Sequence, residues 1–345
     1  MVHTLNQCAN VAMDPPFNEA YKALLAESGG GGSEGGGTVE ECELPVVDLR
    51  RLSEGTAAEV EECKKEIARA CEEWGFFQVV NHGISKRLLG EMRAKQMELF
   101  KQPFERKFMN FSAGSYRWGT PTATSLRQLS WSEAFHVSLS DILGSTALSD
   151  HLTLRSTMEE FAGKVSSLAQ KVAEILAENL GSSSKFFVEN CVGSSCFLRM
   201  NRYPPCPVPG PGQIFGLMPH TDSDFLTILH QDQVGGLQLL KDARWIAVKP
   251  NPDALIINIG DLFQAWSNDV YKSVEHRVVT NPKVERFSVA YFFCPSNETV
   301  IKSECENEAA AVYKRFSFRE FRNQVQEDVR NHGYKIGLPR FLLSS

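Results

Sequence analysis

Three residues of this 345-residue chain have the types and setting to hold a redox-active metal: His220, Asp222 and His276. His220-Thr-Asp222 places an imidazole and a carboxylate two residues apart, and in a strand such side chains leave the same face. A third ligand must come from elsewhere, and Ser273-Val-Glu-His276-Arg-Val-Val is a β-rich run that could bring one. Two histidines and one carboxylate on one octahedral face leave three positions open, an arrangement that suits a non-haem Fe(II) oxygenase. Two open positions would take the keto and carboxylate oxygens of 2-oxoglutarate, and the third dioxygen. The far carboxylate of that co-substrate needs a fixed cation, and Arg286-Phe-Ser288 offers a guanidinium and a hydroxyl on one strand face. Arginine binds carboxylate through two parallel hydrogen bonds, which lysine cannot do.

A lone H-x-D is common on protein surfaces and carries little by itself. Its weight comes from the second histidine in a β-rich run and from R-x-S at short range. Zinc also accepts two histidines and a carboxylate, so a zinc hydrolase is the main metal alternative, but it leaves Arg286 and Ser288 without a task. Among the remaining histidines, His3, His151 and His332 read as solvated and His82 and His230 as structural. Cys206, after Pro204-Pro205, also reads as structural.

The elements that must position these groups can be traced along the chain. From Cys196 to Pro295 the β-rich runs are Phe197 to Tyr203, Leu226 to His230, Leu237 to Val248, Ala254 to Ile259, Ser273 to Thr280 and Phe287 to Phe293. Breakers such as Gly235-Gly236 and Asn251-Pro252 separate them, and many short strands at this spacing predict a sandwich or barrel rather than a parallel βαβ sheet. Upstream come a strand-like run from Glu43, a helix from about Thr56 to Glu73, a buried strand from Phe76 to Asn81, and a helix capped by Ser85 that runs to about Phe100. Phe161, Val165, Leu168, Val172 and Leu176 recur at helical spacing and predict a long packing helix that stops at Gly181. A last helix, about Ser317 to Val329, is expected to pack on the outside. Residues 1–42 form an extension with a helical candidate, Phe17 to Ala26, and a linker over 28–38 in which seven glycines sit among Ser and Glu. The expected divisions are therefore 1–42, 43–150, 151–195, 196–300 for the catalytic core, and 301–345.

The bulk composition, 42% hydrophobic and 23% charged with 22 Phe, is that of an ordinary globular protein with ample core. A net charge of −6 without a long basic run argues against nucleic acid or an anionic membrane surface as the partner, and a small molecule is expected instead. Nine cysteines, scattered without CxxC spacing, read as free thiols in a reducing compartment. The cytoplasm is the expected location, with the nucleus as a second.

Taken together, these residues resemble those of the plant 2-oxoglutarate-dependent dioxygenases. The matching passages are Glu43-Leu-Pro-Val-Val-Asp-Leu, Trp74-Gly-Phe-Phe-Gln-Val-Val-Asn-His-Gly83, Asn201-Arg-Tyr-Pro-Pro-Cys206, His220-Thr-Asp-Ser-Asp-Phe-Leu-Thr-Ile-Leu229, Asn258-Ile-Gly-Asp261 and Arg286-Phe-Ser-Val-Ala-Tyr-Phe292. The resemblance implies an α+β, mainly β fold: a double-stranded β-helix, or jelly roll, with an N-terminal helical and strand region. It also implies Fe(II), 2-oxoglutarate and dioxygen, with ascorbate in support, and it places Asn201 and Tyr203 near 2-oxoglutarate.

Within that family the chain is most similar to the gibberellin 2-oxidases that act on twenty-carbon precursors. Met13-Asp-Pro-Pro-Phe-Asn-Glu19 and the segment from Ser115 to His136 carry this likeness, which implies inactivation of the hormone precursors by hydroxylation at carbon 2. Gibberellins are rigid apolar ring systems bearing carboxylates, so their pocket needs aromatic walls and fixed cations. Tyr116, Trp118 and Trp131 could form walls, and Arg117 or Arg127 could meet a carboxylate, unless these aromatics are simply core and the arginines surface. Two rivals stand beside this reading: a relative with another substrate, such as a gibberellin biosynthetic oxidase, a flavonoid oxidase or an ethylene-forming enzyme, and a barrel that binds a hormone without turnover.

Overall fold

The computed structural model describes residues 12–27, 39–110, 115–144, 152–191, 195–207, 214–304 and 308–343. The linker at 28–38, His3 and His151, and the side chain of Arg127, lie outside the described residues.

In chain order the strands of the two large sheets are β1 (Glu41–Cys42), β2 (Val46–Asp48), β3 (Phe76–Val80), β4 (Tyr116–Trp118), β5 (Glu133–Ser138), β6 (Phe197–Tyr203), β7 (Phe215–His220), β8 (Leu226–Gln231), β9 (Leu237–Lys241), β10 (Arg244–Val248), β11 (Leu255–Ile259), β12 (His276–Val279) and β13 (Arg286–Phe293). Eight form one sheet in the order β2-β3-β11-β8-β13-β6-β5-β4, and five form another in the order β1-β10-β9-β12-β7. The β1–β10 and β2–β3 pairs are parallel, while the pairs around the candidate site, such as β7–β12, β8–β11 and β6–β13, are antiparallel. Side chains of both sheets meet in one cluster, with Phe76, Tyr203 and Ile256 from the larger packing on Leu237, Leu239, Val248 and Val278 from the smaller. This is the expected two-sheeted jelly roll with flanking helices; neither sheet closes on itself.

Strand β13 shows how the fold separates site from core. Its alternate residues Arg286, Ser288, Ala290 and Phe292 line a cavity between the sheets. Phe287, Val289, Tyr291 and Phe293 leave the other face, as a period of two requires, and join a core built with the helices Ala57–Glu73, Lys86–Phe100 and Leu152–Asn179. The Tyr291 hydroxyl donates to Ser166 Oγ on the last of these at 3.1 Å. The helices begin where their caps predict: Thr56 and Glu59 form a reciprocal capping box, and Ser85 accepts from the Leu88 N–H. Gly181, at φ 71°, follows the end of the long helix, a left-handed turn that a side chain would resist.

Several expectations needed correction. The run 237–248 is two strands, because Asp242 and Ala243 both sit at positive φ, 48° and 60°, and turn the chain in a tight hairpin. The candidate helix at 17–26 is broken at Tyr21 into Phe17–Ala20 and Lys22–Glu27. Its segment does not hang free: Phe17 is 3% exposed and stacks on Trp131 with ring centroids 4.5 Å apart. Behind it the buried Lys107 donates to Met13 O at 2.9 Å and Glu133 Oε2 at 2.6 Å, while Arg202 pairs with both Asp14 and Glu133. The final helix, Phe318–His332, does more than cover the outside, since Phe318, Arg322, Val325 and Val329 line the cavity.

Candidate active site

His220 ends β7 and His276 begins β12, and the two are direct cross-strand partners, so pairing alone brings their rings to 4.3 Å between centroids. Asp222 is not on that strand. It lies in the turn after β7, which corrects the expectation that H-x-D would present both groups on one strand face. The turn is held by the start of the helix Asp261–Trp266: the Asp261 N–H donates to Asp222 O at 2.9 Å and the Leu262 N–H to Asp224 O at 3.0 Å. Asp222 Oδ1 then stands 3.6 Å from His220 Nε2 and 3.7 Å from His276 Nε2. Among the described residues these three are the one cluster of ligand-type side chains that could close around a single ion.

Neighbouring groups fix which atom of each side chain faces that centre. Each Nδ1 faces a backbone carbonyl, Met218 O at 2.7 Å for His220 and Val274 O at 3.1 Å for His276. A carbonyl can only accept, so Nδ1 carries the proton and Nε2 keeps its lone pair. Asp222 Oδ2 accepts from the Thr227 hydroxyl at 2.6 Å and the Asn258 amide at 2.8 Å, which leaves Oδ1 for a cation. Lys335, beyond the final helix, grips the same turn from both sides of Asp222, donating to Thr221 O at 2.9 Å and Ser223 Oγ at 2.8 Å and pairing with Asp261.

The charge states suit a divalent metal. Burial, reinforced by His220 and opposed by Asp222, holds the His276 imidazole down at about 4, so it is neutral at neutral pH. Burial would raise the Asp222 carboxyl, but His276, His220 and Thr227 outweigh it and keep it well below the usual carboxylate range. Asp224 goes the other way: burial and the Asp222 charge push its carboxyl well up. The Thr227 hydroxyl reaches both carboxylates, Asp222 Oδ2 at 2.6 Å and Asp224 Oδ2 at 2.9 Å. A neutral imidazole and an ionised carboxylate are the forms in which these groups ligate metal.

Arg286 is 3% exposed, and no carboxylate among the described residues pairs with it. Its Nη2 donates to Gln231 Oε1 at 2.7 Å and its Nη1 to Ser288 Oγ at 3.3 Å, and its guanidinium lies 4.9 Å from the centroid of Tyr203. The buried Nε of Arg286 and Nε2 of Gln231 have no acceptor among the described residues. A buried, uncompensated cation with an orphaned donor is costly, and a carboxylate of a bound molecule relieves it. Asn201, whose amide lies 3.4 Å from Ser288 Oγ, and Tyr203 complete this end of the cavity, as β6 and β13 pair Tyr203 with Arg286 and Asn201 with Ser288.

The cavity has a volume of about 730 Å³, within the range for small-molecule sites. Near the triad its wall is apolar, with Phe76, Leu217, Leu229, Leu237 and Val278. Of the residues proposed for substrate contact, the aromatic ones, Tyr116, Trp118 and Trp131, fall elsewhere. Tyr116 and Trp118 share one face of β4 and turn towards Phe135, Phe104 and Phe17, and Trp131 is 3% exposed under Phe17. Arg117, on the opposite face of β4, does line the cavity, as does His136 on β5. The aromatic residues of this region are core, and the period of the strand decides it.

Residues 194–295 match the 2OG-Fe(II) oxygenase superfamily, and residues 44–152 match the family described as non-haem dioxygenase in morphine synthesis N-terminal. The chain belongs to the 2OG-Fe(II) oxygenase superfamily. Within it the chain stands with the gibberellin 2-beta-dioxygenases: it is 62% identical to Gibberellin 2-beta-dioxygenase 8 of Arabidopsis thaliana over 96% of this chain and 99% of that one. Gibberellin 2-beta-dioxygenase 6 of Oryza sativa subsp. japonica is 51% identical, covering 98% of each. Among solved structures, that of JOX2 in complex with 2OG, Fe and JA aligns with a TM-score of 0.73 and 31% identity over 93% of this chain and 96% of that one.

For this oxygenase, Fe(II) and 2-oxoglutarate are the cofactor and co-substrate, and the donor set found here fits both. Sequence reasoning missed the groups that orient the donors. Asn258 and Thr227 both lie in segments that resemble the family, but residue type alone assigns neither a role. Lys335 gave no signal, because its partners are more than a hundred residues away in the chain.

Proposed function

We propose that this oxygenase hydroxylates carbon 2 of gibberellins on the β face, with twenty-carbon precursors as its substrates. The observation that carries the reading is the juxtaposition of His220, Asp222 and His276 with the buried, carboxylate-seeking Arg286 at the base of one cavity. The names and high identity of the relatives point the same way, and the likeness over Ser115 to His136 supports the twenty-carbon preference.

Bound iron supplies the activation of dioxygen, with 2-oxoglutarate as the two-electron reductant that leaves as succinate and carbon dioxide. His220 Nε2, Asp222 Oδ1 and His276 Nε2 would hold the metal, which leaves it able to take co-substrate and dioxygen. Arg286 and Ser288 receive the far carboxylate of 2-oxoglutarate, and Tyr203 and Asn201 fix its direction. Phe76, Leu217, Leu229 and Val278 exclude water from the space where the substrate's carbon–hydrogen bond is broken. The protein acts on a small molecule in the cytoplasm.

The deciding experiment reconstitutes the protein anaerobically with Fe(II) and 2-oxoglutarate, then admits dioxygen with twenty- or nineteen-carbon gibberellins and identifies products by mass spectrometry. A 2-hydroxylated product, formed faster from twenty-carbon substrates, is expected. A product hydroxylated elsewhere would assign the chain to another reaction, and binding without substrate-dependent succinate release would make it a receptor.

A further inference from the structure

The cavity has a second cationic end, and nothing in the iron and 2-oxoglutarate chemistry uses it. On the inward face of the larger sheet, β5 and β6 pair His136 directly with Arg199, and β6 and β13 pair Arg199 with Ala290. Arg199 lies four residues along β6 from Tyr203, the partner of Arg286, a separation of roughly 13 Å at strand rise. Arg117 reaches the same end from β4 and Arg322 from the final helix. All three guanidinium groups act on one imidazole: burial first, then Arg199, Arg117 and Arg322, hold His136 down at about 4. His136 is therefore neutral and adds no charge of its own.

Among the described residues no carboxylate pairs with Arg199 or Arg322. The carboxylates in the lining are Asp222 and Asp224, both held at the metal-site turn through Thr227. Arg199 donates to the neutral Asn201 Oδ1 at 2.9 Å, and Arg322 to the neutral Asn297 Oδ1 at 3.3 Å. Lys335 is held by Asp261, and Arg286 belongs to the other end. Beyond Arg199, on the side away from Tyr203, stands an apolar platform: the His136 ring stacks on Phe197 at 4.0 Å, and Phe197 on Phe292 at 4.5 Å, nearly parallel. A ligand that satisfies both features has a flat or rigid apolar body and an anionic group at one edge.

We propose that Arg199 and Arg322, with Arg117 at the rim, form a carboxylate-receiving subsite that holds the anionic edge of a polycyclic substrate acid. This rests on the oxygenase reading of the cavity and names the residues that recognise the substrate. Planar guanidinium forks suit carboxylate, and Arg322 rides on the helix that lines the mouth.

The test measures equilibrium binding by calorimetry to the anaerobic protein loaded with Fe(II) and 2-oxoglutarate. The probes are a twenty-carbon gibberellin acid and its methyl ester, and an unrelated polycyclic resin acid and its methyl ester. Wild-type protein should prefer acid to ester by roughly 10- to 100-fold, the worth of one or two charged hydrogen bonds. Arg322→Leu and Arg199→Met should each reduce that ratio, the pair together should bring it near one, and Arg322→Lys should keep part of it. The acid-to-ester ratio is the readout because a general folding defect weakens both forms alike. Equal binding of acid and ester by wild-type protein, variants that weaken both forms equally, or failure of both acids to bind would overturn the subsite. Preference for the resin acid together with no binding of gibberellin would instead leave the subsite standing and defeat the gibberellin reading.

Discussion

The side-chain amide of Asn258, on β11, donates to Oδ2 of Asp222 at 2.8 Å and turns a carboxylate with two equivalent oxygens into one with a single free ligand atom. Thr227 shares the task from the neighbouring β8, where it is the cross-strand partner of Asn258. Removing such an orienting partner commonly costs 10- to 100-fold in metal affinity. Asn258→Ala should therefore weaken Fe(II) binding by about that factor, measured by titrating apoprotein, with far-ultraviolet dichroism unchanged. Wild-type affinity in the variant would show that the metal itself suffices to orient Asp222.

Arg286→Ala should raise the 2-oxoglutarate concentration for half-maximal turnover by roughly 30-fold or more, since a buried charge-assisted pair is worth about 2 kcal/mol or above. Arg286→Lys should recover only part, because an ammonium cannot present two parallel donors. Steady-state kinetics in 2-oxoglutarate decides between this and an anchor elsewhere in the cavity.

Burial, with His82 and Arg93 nearby, holds the His230 imidazole down at about 4, against about 6.5 in an unfolded chain. Between those values the unfolded state binds the extra proton, so folding stability is full above about pH 6.5 and is lost as the pH falls towards 4. At pH 5 the loss from His230 is at most about 2 kcal/mol. Urea unfolding at pH 7 and pH 5 should show a smaller drop for His230→Phe than for the wild type; identical drops would place the pH sensitivity in other groups.

Trp131 tests the division between core and cavity. Trp131→Phe should lower stability by about 1–3 kcal/mol, because it undercuts the stack on Phe17 that seats the N-terminal segment. It should leave KM for the substrate at the wild-type value. A large rise in KM with unchanged stability would return Trp131 to the substrate wall.

Much of the site was legible because its chemistry is written in residue types. His220, Asp222 and His276 have few other reasons to occur together in β-rich sequence, and Arg286 with Ser288 kept its meaning because β13 is regular and a period of two survives folding. The segment from Ser115 to His136 was harder. Its aromatic residues suit a pocket wall or a core equally well, and only the strand phase of β4 puts Arg117 towards the cavity and Tyr116 and Trp118 away from it. The break at Tyr21 was hidden for a related reason, since a tertiary contact, the Tyr21 hydroxyl accepting from the Thr120 N–H at 2.8 Å, competes with helix propensity.

The sequence by itself determined the metal ligands, the cation for the co-substrate and the two-sheeted β fold, because ligand chemistry and hydrophobic period are local properties of the chain. Tertiary structure alone decided how the ligands meet: His220 and His276 through the pairing of β7 with β12, and Asp222 through a turn held by the Asp261–Trp266 helix and Lys335. It also decided which arginines face the cavity. Long-range register and the direction of a side chain depend on partners far away in the chain, and local residue patterns do not encode them.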